Sequence, residues 1–302
     1  MKRILAAATL LVLAGCSAAP ASEASSTPTT EAADPTVAQS VEPTAMGWIA
    51  GNRVSPTLAE YDPVAGTIVI TADVENTSNT DSFEPDVTES IFLDTGSGAP
   101  VGPATSSSIS VAGATTEIEL SFPASADGLV LAEAVLQLGD SGERTWLVPL
   151  TGDDAEGLEP ATIDATGVAD AGGMSFTLDH VEVLPWACDD SDDLGPGESG
   201  RVWYVPGADD ELTIVLWGDI HEAVSIVGGD TTTTSISLSL PDGTAAPQIG
   251  TVNSVFDINE GIDDFALCFS VPAPVSGDYT LNWSSYRGAS ATLTVTIEDE
   301  IG

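Results

Sequence analysis

Asp264-Phe265-Ala266-Leu267-Cys268-Phe269-Ser270-Val271, followed by Asp278-Tyr279-Thr280-Leu281-Asn282-Trp283 and by the run from Ala289 to Ile297, decides the fold class. Successive side chains of a strand point to opposite faces, so apolar residues at every second position mark one buried face. Here the inward sets are Phe265, Leu267, Phe269 and Val271; then Tyr279, Leu281 and Trp283; then Ala291, Leu293, Val295 and Ile297. Gly, Pro, Ser and Asp punctuate the intervals. Three consecutive half-buried strands at this spacing predict an antiparallel, all-β architecture.

Further strands are predicted upstream at Ser175 to Val183, Arg201 to Val205, Glu211 to Trp217 and Thr234 to Leu240. A polar stretch from Thr151 to Pro160 carries Asp153, Asp154, Glu156 and Glu159 and has the composition of a joint between domains. Before it lies a second set of strands: Thr67 to Val74 (Ile68, Ile70, Ala72 and Val74 on one face), Ser90 to Asp94, Ser107 to Val111, Thr116 to Phe122 (Ile118, Leu120 and Phe122 inward), Gly128 to Leu138 and Thr145 to Leu150. No convincing helix pattern occurs. Six or seven strands in about a hundred residues suit an immunoglobulin-like sandwich. The run Pro272 to Leu281 (PAPVSGDYTL) resembles the turn into the penultimate strand of bacterial immunoglobulin-like domains, where a Tyr packs near a corner. The expectation is two tandem immunoglobulin-like β-sandwich domains, at 46–150 and 161–302, joined by 151–160. Such sandwiches host many unrelated functions, so the resemblance bears on fold alone.

At the other end, Lys2 and Arg3 precede a ten-residue segment, Ile4 to Leu13, that is apolar but for Thr9 and leads into Leu13-Ala14-Gly15-Cys16. A basic start, a short apolar run and small residues before one Cys are the layout of a secretory signal, and the motif resembles the lipobox of bacterial lipoproteins. That resemblance implies removal of 1–15 as signal peptide, acylation of Cys16, and anchoring outside the plasma membrane. Ten residues make about 15 Å of helix, half of what a membrane span needs. Several acyl chains on one Cys would hold firmly where a single chain binds marginally. Residues 16–45 follow as a linker of Ala, Ser, Thr, Pro and Glu, too poor in apolar groups to offset the entropy of ordering. As a flexible coil its reach is about 30 Å.

With Cys16 assigned to lipid, Cys188 and Cys268 remain in an oxidising compartment and are predicted to pair. The charge balance is extreme: 47 acidic residues against 6 basic ones, and no lysine after Lys2. Nucleic-acid binding needs clustered Lys or Arg to displace counterions and is excluded. Solubility, tolerance of salt, and attraction of cations or basic partners all remain open.

Several motifs bear on chemistry. Gly139-Asp140-Ser141-Gly142 looks like the nucleophile segment of chymotrypsin-like serine proteases, but that mechanism needs a His base hydrogen-bonded to the Ser, and the family places its His and Asp ahead of it. Here His180 and His221 come after it, and Glu143 stands where the second Gly would be. A hairpin turn explains the same residues. Gly195 to Gly200 fits the letters GxGxxG without the strand and helix that a dinucleotide site requires. Two acidic loops have the oxygen-rich composition that calcium takes: Asp189, Asp190, Asp192 and Asp193, pinned by Cys188, and Asp257, Asn259, Asp263 and Asp264. Solvated loops are the alternative. His180 shares parity with Phe176 and Leu178 while Val181 and Val183 take the other, so its strand is either buried on both faces or bulged. His221, between acidic neighbours, reads as a loop His or an acid–base group. Trp203 and Tyr204 must point to opposite faces of one strand, which makes them the candidate ligand-binding pair.

The functional expectation is a non-enzymatic, membrane-anchored binding or interaction module for a protein or glycan ligand, with calcium as its one candidate cofactor and the second domain carrying the site. The usual sets for nucleophilic or metal-assisted catalysis lack parts. The alternatives are a carboxylate-dependent hydrolase such as a glycosidase and a passive surface spacer.

Overall fold

The computed structural model of the chain describes residues 37–77, 87–104, 113–125, 128–140, 142–152, 154–188, 204–222, 235–246, 248–249, 261–272, 276–284 and 288–298. The described residues fall within one compact unit, Ala33–Gly302. They are all-β: antiparallel sheets and two single turns of 3-10 helix.

The N-terminal part holds β1 (Gln39–Val41), β2 (Gly47–Ile49), β3 (Asn52–Asp62), β4 (Thr67–Asn76), β5 (Ile91–Asp94), β6 (Thr115–Pro123), β7 (Val135–Leu138) and β8 (Trp146–Pro149). One sheet runs β1-β3-β4-β6 with β2 also on β3; the facing sheet is β5-β7-β8. Every second residue of β4 is buried, and Ile68, Ile70, Ala72 and Val74 meet Leu120, Phe122, Leu93, Leu136 and Val148 in one core. β2 turns into β3 through Ala50 and Gly51, both at positive φ (45° and 75°), which is the two-residue hairpin geometry that twisted strands prefer. The Asn52 side chain donates to the Ala50 carbonyl at 3.0 Å.

The C-terminal part holds β9 (Ala161–Asp170), β10 (Met174–Leu184), β11 (Ala187–Cys188), β12 (Tyr204–Val205), β13 (Glu211–Glu222), β14 (Ser235–Ser239), β15 (Ala245–Ala246), β16 (Gln248–Ile249), β17 (Gly261–Pro272), β18 (Gly277–Ser284) and β19 (Ser290–Ile297). A five-stranded sheet, β16-β17-β13-β10-β9, packs on a four-stranded one, β15-β14-β18-β19. Between them lies a second core built on Phe176, Phe269, Leu267, Leu281 and Trp283. Burying one large apolar side chain of this kind contributes about 2 kcal/mol. The alternation read from the sequence is the one observed: Phe265, Leu267, Phe269 and Val271 face this core with Tyr279, Leu281, Trp283, Val295 and Ile297, and Leu293 packs against its edge.

β13 departs from simple alternation. Leu212 through Gly218 are all buried, because the five-stranded sheet is covered on its outer face as well. That cover is the β11–β12 ribbon, fastened by a Cys188–Cys268 disulfide across 80 residues. Closing a loop of that length contributes about 4.5 kcal/mol on the chain-entropy model. Beneath it Leu184, Trp186, Val215 and Trp217 form a third apolar cluster. Arg144 ties the β7–β8 turn to the segment leading into β13: its guanidinium donates to the carbonyls of Asp209 and Glu211, and its backbone N–H donates to the Gly207 carbonyl at 2.7 Å.

Some expectations shift in detail. The strand expected from Gly128 to Leu138 is divided: Leu131–Glu133 makes a 3-10 turn with Leu131 plugged into the core, and only Val135–Leu138 pairs. β3 and β9 give no clear sequence signal. Pro56 interrupts β3 at a register shift, and β9 is an edge strand whose partly buried face is built from Ile163, Ala165 and Gly167. Within the stretch expected as a polar joint, Glu156 pairs with Leu147 and Gly157 lies against the Trp146 indole. The expected strand Ser107 to Val111 lies outside the described residues.

Gly218 sits where β13 passes β10. A Cβ there would fall 2.1 Å from the Thr177 carbonyl oxygen, so the backbone has to move to admit one. Gly218→Ala is expected to lower stability by about 1–3 kcal/mol, the usual cost of overpacking. Urea denaturation followed by tryptophan fluorescence measures it, and an unchanged midpoint contradicts it.

Candidate functional site

The outer face of the five-stranded sheet is organised in cross-strand rows, because directly opposed residues of paired strands share a face. One row reads Asp164, His180, Trp217, Ala266 across β9, β10, β13 and β17; the next reads Thr162, Glu182, Val215, Cys268 and ends on Ile249 of β16. His180 reaches this face through a bulge. The register of β10 shifts between Leu178 and His180 against both neighbours, which reverses parity: Phe176, Leu178, Val181 and Val183 all enter the core, while His180 and Glu182 look outward. The bulged alternative of the sequence reading is the one realised.

Glu182 is the centre of the constellation. Its Oε2 accepts the Trp217 indole N–H at 2.7 Å and lies 3.5 Å from the Tyr204 hydroxyl, which donates to it. His180 stacks over Trp217 with ring centroids 6.0 Å apart and planes 16° apart, and its Nδ1 lies 2.9 Å from the Asp179 carboxylate. On the far side Tyr204 meets Trp186 edge-on at 5.9 Å, and Trp186 stacks at 6.0 Å on Trp48, which comes from β2. Trp48 and Tyr204 thus pack against both the first core and the ribbon cluster. Trp186 is buried and its indole N–H has no acceptor among the described residues.

Exposure grades across the seam. Asp179 is 82% exposed and the His180 ring 30%, Glu182 and Tyr204 are half-buried, and Trp217 is buried. Burial, reinforced by the neighbouring Glu182 carboxylate, holds the Tyr204 hydroxyl well above the ordinary tyrosine value of 10.0. The phenol stays neutral and donates. Among the described residues the basic side chains are Arg53, paired with Glu75, and Arg144, spent on backbone carbonyls.

Of the residues singled out in the sequence, Tyr204 is in this seam, joined by Glu182, His180 and Trp217. Its companion Trp203 lies outside the described residues, as do Cys16, the acidic run Asp189, Asp190, Asp192 and Asp193, the segment Gly195 to Gly200, Asp257 and Asn259. Asp263 and Asp264 are exposed on β17; Asp264 has φ 56°, and its N–H donates to Asp219 at 3.2 Å. Cys188 and Cys268 are disulfide-bonded. Among the described residues no group of three or more His, Cys, Asp and Glu side chains is placed to hold a metal ion, and no aromatic side chain is fully exposed. Sequence reasoning missed Glu182 because a single Glu on an alternating strand has no signature. The irregular parity at His180 was the one available clue.

No protein-family model matches the chain, and no curated protein matches it. The chain is similar to a solved structure described as the conserved domain protein from Bacillus anthracis, at 8% identity and a TM-score of 0.24, covering 87% of this chain and 92% of that one.

Tyr204 has a measurable consequence. Its raised pKa means that the folded state holds the phenol proton more tightly than the unfolded chain, so the associated stability is complete below pH 10 and is lost as pH rises beyond it. Tyr279, raised by burial and then by Asp242, acts in the same direction. Tyr204→Phe is therefore expected to flatten the alkaline fall in stability without abolishing it. Denaturation midpoints from pH 8 to about 11.5 test this; identical slopes for the two proteins would contradict it.

Proposed function

We propose that the chain is an extracytoplasmic lipoprotein, anchored through acylated Cys16 and lifted from the membrane by the residues between Cys16 and β1, since Gln39–Val41 and Ala45 of the expected linker are part of the folded sheet and core, and that it works as a binding module whose recognition surface is the seam around Glu182. The anchor rests on Leu13-Ala14-Gly15-Cys16 behind a short apolar run. Among the described residues no helix is long and apolar enough to cross a membrane.

One observation carries the binding reading: a half-buried carboxylate, fixed in direction by an indole N–H and flanked by Tyr204, Trp217 and His180, on a sheet stiffened from behind by a packed core and from above by a disulfide. Recognition sites combine this kind of apolar, aromatic wall with a few fixed polar groups on a rigid base. Two halves of the chain contribute, Trp48 from one and the rest from the other.

Both parts are testable in the native host. Cys16→Ser is expected to move the protein from the membrane fraction to the soluble extracytoplasmic fraction, with loss of the lipid mass at the N-terminus; retention in the membrane would remove the anchor. A photo-reactive benzophenone amino acid at position 179, at the rim of the seam, is expected to yield a discrete cross-linked adduct, whereas the same probe at the fully exposed position 64 of the β3–β4 turn yields none. Equal behaviour of the two probes would sink the assignment of the surface.

A further inference from the structure

Resting on that reading, we infer that the seam takes a cationic side chain, guanidinium or ammonium, presented on a peptide. Glu182 is a carboxylate drawn partly out of water, and among the described residues only one of its oxygens is engaged, by Trp217 and Tyr204. No cation among the described residues neutralises it, since Arg53 and Arg144 are occupied elsewhere. A carboxylate in such a setting gains most from a partner of opposite charge, because screening by water is reduced there. Its flanks suit the same guest. The half-buried ring of Tyr204 stands beside it; aromatic faces attract cations, more so when the cation is desolvated, and guanidinium also stacks on planar rings while reaching a carboxylate with its N–H fork.

Surrounding charge points the same way. Asp164 lies opposite His180 in the same row, Asp179 stands at the rim, and the whole chain carries a formal charge of −41, so a cationic segment is drawn in and an anionic one repelled. A second, independent feature favours a peptide over a free cation. The Trp186 indole N–H, on a residue only 4% exposed and in edge contact with Tyr204, has no acceptor among the described residues. A buried donor without a partner is costly. A peptide brings backbone carbonyl oxygens along with its side-chain cation and supplies the acceptors that a free amine lacks.

The test uses the full-length protein in detergent, titrated with acetylated and amidated Gly-Arg-Gly-Arg-Gly, with the same peptide carrying citrulline in place of arginine, and with arginine amide, followed by calorimetry and tryptophan fluorescence. Expected are saturable binding of the arginine peptide, at least tenfold weaker binding of the citrulline peptide and of arginine amide, and at least a tenfold loss in Glu182→Gln. That substitution keeps an acceptor for Trp217 and Tyr204, and an unchanged melting temperature confirms that the fold is intact. Glu117→Gln, on the outer face of β6, is expected to bind like the wild type.

Equal binding of citrulline and arginine peptides, an unaffected Glu182→Gln, or an equal loss in Glu117→Gln would overturn the inference, the last by reducing it to net charge. Arginine amide binding as tightly as the peptide would overturn the peptide assignment. Binding seen only in Arg201→Gln would give the seam to the chain's own arginine and overturn it likewise. A position-179 adduct that persists while every basic peptide fails would leave a binding module with another ligand class, so the two failures are told apart.

Discussion

The sheet β16-β17-β13-β10-β9 must be buried on its outer face around β13 as well as on its inner face, and much of the rest of the structure follows from how that is achieved. Its inner face rests on the four-stranded sheet through Phe176, Phe269, Leu281 and Trp283. Its outer face carries Val215, Leu184 and Trp217, which cannot be left in water without losing the stabilisation that apolar burial supplies. The β11–β12 ribbon covers them, and so short a ribbon has too little of its own to stay down: two paired positions and a few rings. The Cys188–Cys268 bond makes that cover permanent, and Trp48 of β2, stacked on Trp186, extends it to the N-terminal core.

This arrangement explains why the polar groups of the seam are where they are. A sheet face sealed by aromatic residues leaves little water for a carboxylate, so Glu182 is tolerated because the Trp217 indole and the Tyr204 hydroxyl donate to it. The bulge at Asp179 is the backbone device that puts His180 and Glu182 there; without the extra residue Val181 and Val183 would be turned out of the core. Structural need and chemical potential coincide at one residue position. In a chain so short of cations, the two described arginines act as fasteners: Arg144 holds two segments together through carbonyl oxygens, and Arg53 bridges β3 to β4 through Glu75.

Fold class was legible from the sequence because half-buried antiparallel strands alternate strictly. The last three strands, and β4 and β6, bury the residues that their period-two pattern selects. Where a strand is covered twice, at β13, or is a lightly buried edge, at β9, the alternation carries less information and the limits were harder to read. Leu131 shows the opposite case: apolar pattern was present from Gly128 onward, yet the residues before Val135 fill the core through a 3-10 turn because the chain there plugs the end of the sandwich instead of pairing.

The sequence alone determined the strand alternation, the extreme negative charge, the shortage of histidine and lysine, and a cysteine count in which Cys188 and Cys268 pair, since these depend on residue type and spacing along one chain. Only the tertiary structure decided that Glu182, Trp217, Tyr204, His180, Trp186 and Trp48 belong to one place. They lie on five strands and connections separated by up to 169 positions (217 − 48), and a hydrogen bond or ring stack between such residues exists only after two cores and a disulfide have fixed the backbones that carry them.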